Sequence, residues 1–372
     1  MTGLLPFLVL LLGTCVWALL PFVPAVRELL RPTDAVPLGM VGRDSGDITY
    51  FATGFRAFLE RHPILSSGSD PANVTGTLAD GAPYARVATP GLWTQLPRGE
   101  HEEITAVVVL DGRMAVPPSQ VFAAEVYARQ PMLGGVGTTY RAVLCDDVCH
   151  LLSRSVVLRW IHARRALCVG RGSTLYNRAS SDDRITLSSD VRFDRLGAPI
   201  IEVAGDGSRP SPPTPTRTPY EPPSTMTRVL GEGAAVPFYR VEGDFVLPEA
   251  TVLRGNVVVR GTAVVQRGAR LEGSLKAHRD VRVEAGGEVT DALVSRRDVT
   301  VEEWGVVGGP LVAERDCALG RWSRVGDVGS PTTIACRRLT LSAGCRVHGR
   351  VSTRGGGTTG VRRPAATAPA SR

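Results

Sequence analysis

An 18-residue period constrains this chain more than any other feature. Units that begin at Val241, Val259, Ala277, Ser295, Ala313 and Ala335 place Phe245, Ala263, Val281, Val299, Cys317 and Leu339 at their fifth position. Their seventh residues are Leu247, Val265, Val283, Val301, Leu319 and Leu341. Their thirteenth are Leu253, Leu271, Val289, Val307, Val325 and Val347. The residues between are mostly Arg, Glu, Thr, Gly and Asp. One step is longer by four residues, an insertion around Ser330–Thr333. A unit this short cannot bury its own apolar face, so each copy must stack on the next.

The period also runs earlier in the chain. Met114, Met132, Cys149, Leu167 and Ile185 form the fifth-residue column, and Val116, Gly134, Leu151, Val169 and Leu187 the seventh. Phe122, Tyr140, Val157, Leu175 and Phe193 form the thirteenth. One residue is missing between Met132 and Cys149, and Gly134 is the weak inward position. Five rungs thus occupy about 110–198 and six about 241–352. Triplets such as Val281-Arg282-Val283 have the period of two of a half-buried strand. Gly or Asp recurs near the fifteenth position, where a corner needs a bent backbone. Short strands, corners and strict stacking predict an all-β chain, a parallel β-helix in two blocks; a β-sandwich does not keep one period over so many units. The expected core includes Val281, Val283, Val289, Leu293, Val299, Val301, Val307 and Leu311 in the second block, and Leu167, Val169, Leu175, Ile185 and Leu187 in the first.

The formal net charge is +7, and Lys276 is the only lysine. The basic residues are spread over the rungs without aromatic interleaving, which argues against nucleic-acid binding. Residues 4–26 hold no charged side chain and are long enough to span a bilayer. No basic residue precedes them, so they read as a retained single-pass anchor, a transmembrane helix within 1–27, rather than a signal peptide. Arg27 and Arg31 follow the span, which predicts an inner-membrane protein with its bulk in the cytoplasm. Seven cysteines, an odd number, fit a reducing compartment. Cys145 and Cys149 lack a second pair with zinc spacing, so no metal is expected. No phosphate loop, paired-carboxylate site or nucleophile motif is found, and no cofactor or enzymatic activity is expected.

Residues 28–105 read as a juxtamembrane region. Within it, Asp47–Arg61 predicts an amphipathic helix, with Ile48, Phe51, Ala52, Phe55, Phe58 and Leu59 on one face. Its expected place is over the open end of the first block, with the membrane surface as the alternative. Residues 62–105 are Gly/Pro-rich, with a short strand expected around Tyr84–Val87. The first block is assigned 106–205 and the second 237–352. Between them, 206–236 is a proline-rich linker, extended in character, that either joins two separate β-helices or bulges from one continuous solenoid. The tail, 353–372, is rich in Gly, Thr, Ala and Arg and reads as disordered.

The units Ala277-His-Arg-Asp-Val-Arg-Val-Glu-Ala-Gly-Gly-Glu-Val and Ser295-Arg-Arg-Asp-Val-Thr-Val-Glu-Glu-Trp-Gly-Val-Val resemble rungs of bactofilins, the polymer-forming cytoskeletal proteins of bacteria. The resemblance is strongest over about 241–352. It implies a right-handed β-helix that assembles end to end without nucleotide, often at a membrane, and that scaffolds envelope-building machinery. Two repeat blocks, a proline-rich interruption and a strong anchor depart from the family's usual single core between short tails. The extra block could cap the core and prevent polymerisation.

An open β-helix end exposes apolar residues and unpaired backbone, which must be covered or paired. The last rung, with Leu339, Leu341, Val347 and Val351, is the expected self-association face. Phe238 and Phe245 lie at the first rung of the second block, where they would cover that end or touch the first block. A rival reading comes from left-handed hexapeptide acyltransferases, which also use 18-residue turns, and Leu253, Val259, Val265, Leu271 and Ala277 do recur every six. The period alone leaves handedness open. No histidine sits in a recognisable catalytic motif, and His278 and His348 read as outward surface residues. A second rival is an exported adhesin or polysaccharide-binding module, disfavoured by the lack of an aromatic ladder; Trp304 and Trp322 share a column and could stack.

Overall fold

Short apolar–polar–apolar triplets cannot build a sheet with their chain neighbours, so they pair with the triplet one rung away. A computed structural model describes residues 14, 47–61, 75–205, 211, 215–224, 226–229 and 236–360. The chain divides into two compact units, Met1–Asp47 and Ile48–Arg372, and the second carries the solenoid. The expected span, 4–26, lies outside the described residues apart from Thr14. Among the described residues no helix is long and apolar enough to cross a membrane.

The columns read from the sequence are the columns of the fold. Phe245, Ala263, Val281, Val299, Cys317 and Leu339 are successive parallel partners. So are Leu253, Leu271, Val289, Val307, Val325 and Val347. In the first block Met114, Met132, Cys149, Leu167 and Ile185 align across the single-residue deletion. Nearly all these side chains are buried in one continuous core. Each inward aliphatic contributes roughly 1.5–3 kcal/mol by burial. The solenoid has about 13 turns against the eleven expected. Stacking continues past the counted rungs: Pro83–Val87 aligns with Val107–Leu110 ahead of the first block, Ile201 stacks after Ile185, and Gly357 stacks after Leu339.

Two local readings are corrected. Leu311 pairs with Ile334 and Val312 with Ala335, which puts Cys336 rather than Ala335 in the inward column. The Ser330–Thr333 insertion thus takes up one more residue before the strand resumes. The tail expected from 353 is not disordered at its start: strand Arg346–Thr359 runs through it. Residues 361–372 lie outside the described residues.

The corner column needs a left-handed backbone, and glycine supplies it at Gly268, Gly286 and Gly344. Trp304 and Trp322 adopt the same conformation, with φ 61 and 53. Their rings stack at 5.1 Å, which offsets part of the cost of a bulky residue there.

Both outer ends are covered by the chain itself. At the start of the first block, Trp93 of the Pro90–Gln95 turn and Leu96 just after it are buried, and Trp93 meets Phe122 edge to face. At the start of the second block the linker adds strands. Thr218–Pro219 pairs with Thr251–Arg254, and Thr227–Val229 pairs antiparallel with Phe238–Val241. Arg217 fastens it by donating to the Gly268 carbonyl and pairing with Glu288. Met226 and Tyr220 pack on the core end.

The helix spans Tyr50–Glu60, inside the expected 47–61. It does not cover an open end. It lies on the flank of the first block, where Ala52 and Leu59 pack with Val109, Tyr127, Leu144 and Trp160. Those four face away from the solenoid core, and burying them is what fixes the helix there.

Candidate functional site

The expected self-association rung is occupied within the chain. Leu339, Leu341, Val347 and Val351 are at most 1% exposed. Strand Arg346–Thr359 pairs antiparallel with strand Arg192–Val203, the last of the first block, matching Leu196 with Val351 and Ile201 with Val347. The final rungs of the two blocks therefore close on each other, and the backbone edges that a second copy would need are used. Thr353 donates to the Asp194 carbonyl and Thr359 to the Ser188 carbonyl. His348, expected on the surface, is buried at this seam with Nδ1 3.1 Å from the Pro199 carbonyl. Phe245 is buried and Phe238 half-buried at the far end of the second block, where Phe238 pairs with Val229. They cover that end instead of touching the first block.

The seam carries a groove. On one wall of the solenoid, strand Arg192–Val203, the end of Arg346–Thr359 and strand Arg338–Leu341 lie side by side. Phe193 pairs with Gly357 and Arg195 with Ser352, so residues 353–356 bulge opposite Asp194 alone. Glycines 355–357 form the middle of the groove. A Cβ on Gly357 would lie 2.1 Å from the Phe193 ring, so no larger residue fits without displacement. The cavity measures about 490 Å³ and is lined on one side by Tyr176, Arg192 and Asp194 and on the other by Asp316, Arg338 and Thr340. Asp316 is bridged by Arg337 and Arg338. Partial burial raises its pKa, but these two guanidinium groups outweigh it and hold the carboxyl below its usual range. Neither the Tyr176 nor the Arg192 side chain has a hydrogen-bond or ion-pair partner among the described residues.

A second polar nook lies under the helix. Arg56 forms an ion pair of 2.5 Å with Asp146, which also accepts from the Tyr127 hydroxyl. Beside it, His162 is buried with Nδ1 2.9 Å from Ser180 Oγ and Nε2 3.7 Å from Asp182. Thr49, Thr53, Arg56 and Arg164 close a cavity of about 240 Å³ over it. Ser180 is 2% exposed and does not line the cavity, so its hydroxyl orients the imidazole and has no access to a substrate. Burial pushes the His162 pKa down; Asp182 and Asp146 oppose this, and Arg56 and Arg164 add to it.

Sequence reasoning missed both features. Cys145 and Cys149 are buried thiols, and among the described residues no group of three or more His, Cys, Asp or Glu could hold a metal ion. No family model matches this chain, and neither a curated protein nor a solved structure matches it.

Proposed function

We propose that this chain is a non-enzymatic scaffold of the bactofilin kind, held at the inner membrane by residues 4–26 with its solenoid on the cytoplasmic side. Its long outer surface would serve envelope-building proteins, and no nucleotide takes part. The stacked solenoid of 18-residue rungs carries the scaffold reading, and the mutual closure of the two final rungs makes it a closed one. A one-block solenoid leaves such a rung for a second copy. Here the first block takes that place, so the scaffold works as a discrete two-block unit. It does not grow through Leu339, Leu341, Val347 and Val351. The linker strands and the Pro90–Gln95 turn close the outer ends in the same sense. Contacts between copies, on this reading, use lateral surfaces.

Membrane flotation of the full chain and of a variant lacking residues 1–26 tests the anchor. The full chain should float with vesicles and the deletion variant should stay in the soluble fraction. Continued flotation of the deletion variant would overturn the anchor. Electron microscopy of the soluble variant should show discrete particles without nucleotide; long filaments would overturn the closed-unit reading.

A further inference from the structure

We propose that the groove across the seam is a binding site for a neutral oligosaccharide. Its volume, about 490 Å³, falls in the range of small-molecule sites. Each wall brings one guanidinium and one carboxylate: Arg192 with Asp194, and Arg338 with Asp316. The formal charges of these four lining groups cancel, and Arg337, paired with Asp316 from outside the lining, adds one positive charge, so the walls present no strong field of either sign. They do offer donors and acceptors side by side, which suits hydroxyl groups that both give and accept hydrogen bonds. Tyr176, 49% exposed, adds a ring with an apolar face for the C–H side of a sugar and, at its edge, a hydroxyl with no partner among the described residues. Gly355 and Gly356, where an added Cβ would meet nothing closer than 3.3 Å, let a flat ring approach the backbone closely.

Other occupants fit less well. An extended peptide would bind by adding a strand, but the strands that floor this groove are paired on both sides. A phosphate would meet two carboxylates, one of them held ionised by its arginines. The site also has a structural reason to exist. It lies where the two blocks meet, with strands of both forming its walls.

The test is calorimetry on the full-length chain in phosphatidylcholine nanodiscs, titrated with maltotriose, cellotriose and triacetylchitotriose. Saturable binding of at least one trisaccharide is expected. Tyr176→Ala, at an exposed position, should weaken it about tenfold. Thr340→Trp, which fills the groove from an outward-facing position, should abolish it, and thermal melts should show both variants folded. No binding of any of the three sugars would overturn the proposal, as would binding that both variants retain. Saturable binding of inorganic phosphate lost in Arg192→Gln would also overturn it, by making the groove an anion site. Entry of the chain into nanodiscs is scored separately, so failure of the anchor and failure of the groove are distinguishable.

Discussion

Leu341 is 1% exposed and lies in the rung that closes on the first block. A charge there has neither water nor a partner, and its desolvation cost falls on folding. Leu341→Arg should therefore destabilise the chain by more than about 4 kcal/mol, read as a drop in the urea midpoint. Unchanged stability with a smaller oligomer would instead mark Leu341 as an intermolecular contact. The inward columns were legible at this scale because the period places them without knowledge of the turns. Gly134 was legible only as a gap. The Tyr140 hydroxyl fills it, 2.8 Å from where a Cβ on Gly134 would be, and accepts from the Gly135 N–H. His348 was misplaced because strand parity puts it outside the solenoid core, and parity does not reveal the Pro199 carbonyl that covers it.

Elements were legible when their own periodicity specified them. The helix followed from its apolar spacing, yet its place did not. Its docking surface was signalled by strand segments apolar on both faces, such as Val107–Leu110 and the last four residues of Thr139–Cys145, where alternation gives way to a continuous run. The buried His162 beneath this helix makes the first block sensitive to acid. Its folded pKa is lowered, so the unfolded chain takes up a proton first as pH falls. Stability is complete above the ordinary imidazole value, about 6.5, and declines as pH falls below it toward the folded pKa. Phe55 lies 5.7 Å from Trp160, so tryptophan fluorescence reports on the helix. Urea midpoints followed this way should fall between about pH 7 and 5. His162→Gln should flatten that slope. An equal slope in the variant would place the acid sensitivity elsewhere.

The whole molecule was least legible. The repeat fixes what lies one rung away, but the closure joins residues as distant in sequence as Arg192 and Thr358, with no period linking them. The joining residues 353–359 also have the composition of a tail, because a strand that must approach Phe193 closely is built from glycine and threonine. The central claim is that one chain supplies both sides of this junction. Arg195 and Ser352 are opposed across it, outside the core. Antiparallel partners sit about 4.5–5.5 Å apart at Cα, within reach of a disulfide. The decisive measurement is oxidation of the Arg195→Cys, Ser352→Cys double variant, followed by non-reducing electrophoresis and mass spectrometry of the linked peptides. An intrachain link in a monomeric band is the expected result. A disulfide-linked dimer joining position 195 of one copy to position 352 of another, or no link at all, would contradict the closure.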